Sequence, residues 1–218
     1  MTWLWVTVAI LAAYLLGGVP FGLIIGKLKG VDIREHGSRN IGATNAGRVL
    51  GKRYFFLVTF LDAAKGAIAC GFGKMAEPGS GADLMLFAGL GALLGHFFSP
   101  YLKFRGGKGV ATGLGVVISV ASTPDTWLPI PAFCGLGVFI LLVLITRTIS
   151  IGSVLAVISL PGWYALFAGE KLLSVPYAGR FAFFCVMAVL MVAKHRSNIV
   201  RIAQGAEPKI GSKPREQT

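Results

Sequence analysis

Three short stretches of this 218-residue chain hold most of its polar chemistry. The first spans 35–48 and is too polar for a membrane span and too rich in Gly and Asn for a long helix. It offers Ser38, Asn40, Thr44 and Asn45 as small hydrogen-bonding side chains and Arg48 as a fixed cation. Glycines such as Gly37 let backbone N–H groups point into a common concavity, which suits a phosphate oxyanion. The second stretch, 103–112, contains Arg105-Gly106-Gly107-Lys108-Gly109 and ends on Thr112. It looks like a phosphate loop, but a Walker A motif needs Gly where Leu102 stands and Ser or Thr where Gly109 stands. ATP hydrolysis is therefore disfavoured. A Gly-Gly-Lys-Gly turn leading into a helix still gathers backbone donors, a helix N-terminus and an ammonium in one place. In the third stretch, 194–207, His195, Asn198 and Arg201 recur every three residues and share a face if a helix continues past the membrane. Taken alone, this stretch also reads as an ordinary basic helix flanking a membrane.

Other chemistries fail on spacing. Many glycerolipid acyltransferases use His-x4-Asp, but the residues five positions after His36, His96 and His195 are Ile41, Tyr101 and Val200. A CDP-alcohol transferase needs clustered aspartates for metal, and the nine acidic residues are not clustered, so no metal site is expected. Cys70, Cys134 and Cys185 lie far apart inside apolar runs and read as packing residues.

The elements that must position these stretches are membrane helices. The chain is 55% hydrophobic and 14% charged, with a mean hydropathy of +0.72. A soluble domain of this size cannot hide so much apolar surface. Seven apolar runs are candidates for spans: 3–25, 54–72, 84–98, 110–122, 127–146, 150–168 and about 178–193. The fourth is short, glycine-broken and the weakest; five spans would preserve the same parity. No Lys or Arg precedes Lys27, so the first run is expected to be a retained span. Pro20 should kink it. Gly18, Gly22 and Gly26, like Gly91 and Gly95, recur every four residues, as close helix packing in lipid favours. Asp62 and Lys65 share one helix face inside a span, which points to an internal ion pair or to a role in holding the cytoplasmic loops.

The net charge of +12 is distributed between the apolar runs, which points to membrane topology and anionic ligands and not to nucleic acid. Nearly all cations, including those of the three polar stretches, fall on one side; only Lys74, Lys171 and Arg180 fall on the other. The positive-inside rule then puts the N-terminus outside and the C-terminus in the cytoplasm. The expected fold is all-α, a polytopic integral membrane protein of about seven transmembrane helices forming one domain over 1–218, with a basic, loosely ordered tail from 205 to 218.

Three pieces in order — Gly37-Ser-Arg-Asn-Ile-Gly-Ala-Thr-Asn45 with Arg48, then Gly106-Gly-Lys-Gly-Val-Ala-Thr112, then His195-Arg-Ser-Asn-Ile-Val-Arg201 with Gly205 and Glu207 — resemble the bacterial membrane acyl-phosphate:glycerol-3-phosphate acyltransferases, the PlsY family. The likeness extends to Leu61-Asp-Ala-Ala-Lys-Gly66; Arg39 stands where the family usually carries a small residue. The resemblance implies that the 1-hydroxyl of glycerol 3-phosphate attacks a long-chain acyl phosphate, giving lysophosphatidic acid and inorganic phosphate at the cytoplasmic face of a bacterial inner membrane. It assigns Ser38, Arg48, Lys108, His195 and Asn198 to the phosphates and the developing oxyanion. Gly37, Asn40, Thr44, Asn45, Arg105, Gly106, Gly107, Gly109, Thr112, Arg201 and Glu207 shape the substrate site. No cofactor is implied; the lipid bilayer and the soluble enzyme that makes acyl phosphate are candidate partners. Two other classes fit the composition. An organophosphate transporter predicts internal repeats and polar groups at the bilayer midplane. A lipid scaffold leaves the dense Ser, Asn, Gly and Lys motifs unexplained.

Overall fold

A computed structural model describes residues 2–76, 83–121, 129–175 and 177–211, and among these no strand occurs. The helices are α1 (Thr2–Gly18), α2 (Phe21–Leu28), α3 (Ala43–Leu50), α4 (Lys52–Ala76), α5 (Leu84–Phe97), α6 (Val110–Val120), α7 (Ile130–Thr146), α8 (Ile149–Ala168), α9 (Tyr177–Lys194) and α10 (Arg196–Ala203). Single 3-10 turns follow α5 at Pro100–Leu102 and α8 at Gly169–Lys171.

Among the described residues, four helical stretches are long and apolar enough to cross a bilayer: Lys52–Ala76, Leu84–Leu102, Ile149–Lys171 and Tyr177–Lys194. The first run is broken, as Pro20 requires: α1 and α2 meet at an angle of 42°, and taken as one span the pair is a fifth candidate crossing. Val110–Val120 and Ile130–Thr146 are shorter. Eleven residues of α6 rise about 16 Å, roughly half of a hydrocarbon core. Length and composition thus support four or five crossings, and the fourth run of the sequence is the short one. Ser122, Trp127 and the tail from 212 to 218 lie outside the described residues.

The outer surface is that of a lipid-facing protein. Phe56 and Phe60 on α4 are each 68% exposed. Leaving such rings in water would forgo about 1.5–3 kcal/mol apiece. The opposite face of α4 is buried at three- and four-residue spacing through Tyr54, Val58, Asp62, Lys65, Gly66, Ala69, Cys70 and Gly73. That face packs against α1, α3, α5 and α6, which makes α4 the centre of the N-terminal half. Close approach depends on missing side chains. A Cβ on Gly66 would collide with the carbonyl of Thr112 on α6, and one on Gly95 with the carbonyl of Tyr14 on α1. Gly22 and Gly26 differ from the helix-packing expectation. Past the bend, their faces meet the carbonyl of Ile41 and the segment Val31–Ile33, so α2 carries the first polar loop and not another helix. Asp62 and Lys65 form the expected ion pair, 2.7 Å apart and almost fully buried.

Candidate active site

The first polar loop is wound around one side chain. Asn45, in the first turn of α3, is buried, and its amide nitrogen donates to the carbonyls of Ile33 at 2.7 Å and His36 at 3.2 Å. Its carbonyl oxygen accepts the Ser38 backbone N–H at 2.8 Å. Gly37 sits at φ +61 against that same oxygen, where a Cβ would have no room. The result fixes the Ser38 backbone and leaves the Ser38 side exposed. Asn40 accepts the Gly42 N–H at 3.0 Å, closing the approach to α3. Thr44 lies half-buried in the first turn of α3, and Arg48 in its last turn, solvent-accessible. Asn45 and Asn40 therefore hold the loop's shape, while Ser38 and Arg48 are what it presents.

The second loop is pinned against the end of α5. Gly106 N–H donates to the Phe97 carbonyl at 3.2 Å and Gly107 N–H to the His96 carbonyl at 3.0 Å. A Cβ on Gly106 would overlap the His96 carbonyl, one on Gly107 the His96 ring, and one on Gly109 the Phe97 ring. Gly109 also takes φ +77 as it leads into α6, a conformation only glycine enters freely. Thr112 is buried and its hydroxyl meets His96 Nδ1 at 3.1 Å. Together these contacts leave Lys108 half-buried at the start of α6, with Arg105 exposed beside it. Lys194, the last residue of α9, reaches the Phe97 carbonyl at 2.8 Å and lies 4.0 Å from the Phe98 ring centroid. That contact ties the second loop to the third polar segment.

The third segment starts at His195, buried at the junction of α9 and α10. Its Nδ1 lies 2.7 Å from the Met191 carbonyl. A carbonyl only accepts, so Nδ1 carries the hydrogen and a neutral ring leaves Nε2 as an acceptor. One turn on, the Asn198 amide donates to Ser150 Oγ at 2.7 Å and to Glu207 Oε1 at 2.6 Å. Ser150 donates to the same carboxylate oxygen, and Arg201 Nε meets Oε2 at 2.7 Å. Glu207, with both oxygens engaged, fastens the end of α10 to the start of α8. Asn198 Oδ1 is buried and makes no hydrogen bond, so it stands as an acceptor awaiting a donor.

The three segments lie within electrostatic reach of one another. The charges of Glu207, Arg201 and Arg48 all act on Lys108, those of Glu207 and Arg201 act on Arg48, and Lys108 and Glu207 act on His195. Desolvation, with Arg201 and Arg48 adding to it against Glu207, lowers the Lys108 ammonium to about 8. Desolvation likewise lowers the Arg48 guanidinium. Burial, reinforced by Lys108, keeps the His195 imidazole below its ordinary value. Burial acts to raise the Glu207 carboxyl, but hydrogen bonds from Ser150, Asn198 and Arg201 outweigh it and hold the group ionised. Three cations around one carboxylate leave excess positive charge in a confined place, which suits a phosphate of charge near −2. Among the described residues, no three His, Cys, Asp or Glu side chains come together as a metal cage requires.

Ser150 is the participant that sequence reasoning missed. A serine at the start of an apolar run reads as a helix boundary. The available signal was the row of hydroxyls Thr146, Thr148 and Ser150 flanking Arg147.

Residues 7–205 match the family model described as glycerol-3-phosphate acyltransferase. The glycerol-3-phosphate acyltransferase of Acholeplasma laidlawii is 37% identical, with 96% of this chain and 95% of that protein covered. That of Desulfotalea psychrophila is 41% identical, covering 90% and 94%. Among solved structures, the integral membrane glycerol 3-phosphate acyltransferase PlsY in its glycerol 3-phosphate form superposes with a TM-score of 0.80 at 38% identity, covering 94% of this chain and 96% of that one. Its lysophosphatidic acid form gives 0.78 at 37% identity, covering 94% and 95%.

Proposed function

The chain belongs to the glycerol-3-phosphate acyltransferase family, and we propose that it takes the acyl group from a long-chain acyl phosphate and places it on the 1-hydroxyl of glycerol 3-phosphate. The products are lysophosphatidic acid and inorganic phosphate. The observation that carries this reading is that Arg48, Lys108 and the Arg201–Glu207 ion pair lie within electrostatic reach of one another, with the buried Asn198 bonded to Glu207 and the buried His195 within the same reach. Both substrates bear phosphates, and one bears a chain that belongs in lipid. We place the site on the cytoplasmic face of a bacterial inner membrane, in a chain with an odd number of spans and its N-terminus outside. The one-sided distribution of cations supports that orientation. The soluble enzyme that makes acyl phosphate is the partner this reading implies.

The chemistry needs little beyond positioning. Acyl phosphate is a mixed anhydride with a good leaving group. The glycerol hydroxyl attacks its carbonyl carbon, the C–O bond to phosphate breaks, and the electron pair leaves with inorganic phosphate. Arg48 and Lys108 hold the anions and oppose their mutual repulsion, and orientation supplies much of the rate. The Ser38 side, fixed by its backbone bond to Asn45, is available to the developing oxyanion. The hydroxyl proton passes to a phosphate oxygen or to His195 Nε2, which burial keeps unprotonated near neutral pH. In this reading the unpartnered Asn198 Oδ1 accepts a hydrogen bond from a glycerol hydroxyl.

Ser38 lacks a His-x4-Asp partner, so transfer is direct, with no acyl-serine. Incubation of the purified protein with labelled acyl phosphate and no glycerol 3-phosphate tests this by mass spectrometry. No acylated protein is expected; a stoichiometric adduct on Ser38 would overturn the direct route.

A further inference from the structure

The bend between α1 and α2 takes the Gly18 and Val19 carbonyls out of the regular helical ladder, and each accepts from a side chain elsewhere in the bundle, Val19 also from the Phe21 N–H across the bend at 3.2 Å. Lys65 Nζ, from the middle of α4, donates to the Val19 carbonyl at 2.7 Å. Ser99 Oγ, from the connector between α5 and the second polar loop, donates to the Gly18 carbonyl at 2.6 Å. Tyr14 Oη adds a third tie from α1 to the same connector, meeting the Phe98 carbonyl at 2.7 Å. Lys65 and Ser99 are both fully or almost fully buried, and Lys65 is neutralised by Asp62.

An ion pair inside a membrane helix is costly, and an apolar pair of similar size would often be as stable or more so. Packing alone does not call for it. What the pair does is deliver an ammonium to one backbone oxygen at the hinge. The hinge matters because of what α2 carries. Gly22 and Gly26 seat the first polar loop on α2 with no room for a Cβ, so the loop follows α2 as a rigid body. Ser99 lies in the connector itself, and its carbonyl accepts the Phe104 N–H at 2.9 Å. The hinge is thus fastened on one side to α4 and on the other to the connector that sets the second loop.

We propose that Lys65, held by Asp62, and Ser99 are positioning residues that set the distance between Ser38 on the first loop, with Arg48 on the α3 that follows it, and Lys108 on the second loop. They touch no substrate and act through the α1–α2 bend. The proposal rests on the acyl-transfer reading above, and its test separates the two.

The full-length protein is purified as wild type, as the double variant Asp62→Leu with Lys65→Met, as Lys65→Arg, and as Ser99→Ala. Transfer is measured with glycerol 3-phosphate and palmitoyl phosphate, alongside thermal unfolding. The folded double variant should keep its unfolding midpoint and lose about tenfold to a hundredfold in kcat, the scale of a misplacement near 1 Å. The KM for palmitoyl phosphate should move less than about twofold, because the binding groups are intact. Lys65→Arg, which can still pair with Asp62 and cap Val19, should recover most of the rate. Spin labels at positions 36 and 103, both exposed, report the loop separation without any turnover. Their distance distribution should broaden in the double variant and in Ser99→Ala. Wild-type kcat together with an unchanged distribution in the folded double variant overturns the proposal. If the double variant does not fold, Ser99→Ala decides on the same two readings. A wild type inactive with both substrates would sink the acyl-transfer reading instead, and the label distances would still judge the hinge.

Discussion

Lys108 stands where desolvation and two neighbouring cations oppose its charge, yet a bound phosphate needs that charge. Its value of about 8 lies below the ordinary 10.5, so the cation is present below pH 8 and is lost as pH rises through 8. Because kcat/KM reports the free enzyme, kcat/KM for glycerol 3-phosphate should fall above pH 8. In Lys108→Arg, whose guanidinium stays charged, the residual activity should show no such limb; a limb at the same pH would assign it to another group. Replacing Lys108 or Arg48 with Ala removes charge-assisted hydrogen bonds of about 1.5–3 kcal/mol, roughly ten- to a hundredfold in kcat/KM. Steady-state kinetics on the folded variants checks this, and near-normal kinetics would remove that residue from the site. These residues were legible in the sequence because polar, glycine-rich loops stand out in a chain this apolar. Ser150 and the clasp it forms with Asn198 and Glu207 were not legible, since nothing local says that a helix-start serine will face a carboxylate 57 positions away.

At the scale of elements, the glycines of the second loop separate fit from flexibility. Gly107→Ala would drive a methyl into the His96 ring and displace Lys108. Loss of about tenfold or more in kcat is expected from that shift. Gly137, in α7, has open space where its Cβ would go, so Gly137→Ala should leave activity unchanged and add about 0.5–1 kcal/mol to helix stability. Paired activity and thermal-unfolding measurements compare the two; equal behaviour would contradict the packing account. Asn45→Ala removes three hydrogen bonds that shape the first loop and should destabilise by about 1–3 kcal/mol, read from the same unfolding curves. Sequence reading located the long helices by the length of their apolar runs and the bend by Pro20. It misjudged Gly22 and Gly26, because a four-residue spacing of small residues looks the same whether a helix or a loop lies across it. The family resemblance put Asn45 and Thr112 among the residues that shape the substrate site; their polar groups meet Ile33, His36 and His96, so any such role is played through the loops they hold.

The whole molecule joins an apolar bundle to one charged end. The three polar segments are separated in sequence by apolar helices, and their meeting requires that they lie on the same side of the membrane. Cysteine labelling in intact cells should leave a cysteine near Ser38 unreactive to an impermeant reagent added outside; labelling there would contradict the cytoplasmic placement. The central claim is that the site handles two phosphates and uses the donor's own phosphate as the leaving group. The direct measurement is transfer by the purified protein of label from glycerol 3-phosphate into lysolipid, with palmitoyl phosphate and palmitoyl-CoA as alternative donors. The account predicts lysophosphatidic acid and inorganic phosphate in equal amounts from palmitoyl phosphate, and little product from palmitoyl-CoA. Equal turnover with the two donors, or no lysolipid from palmitoyl phosphate, would contradict it.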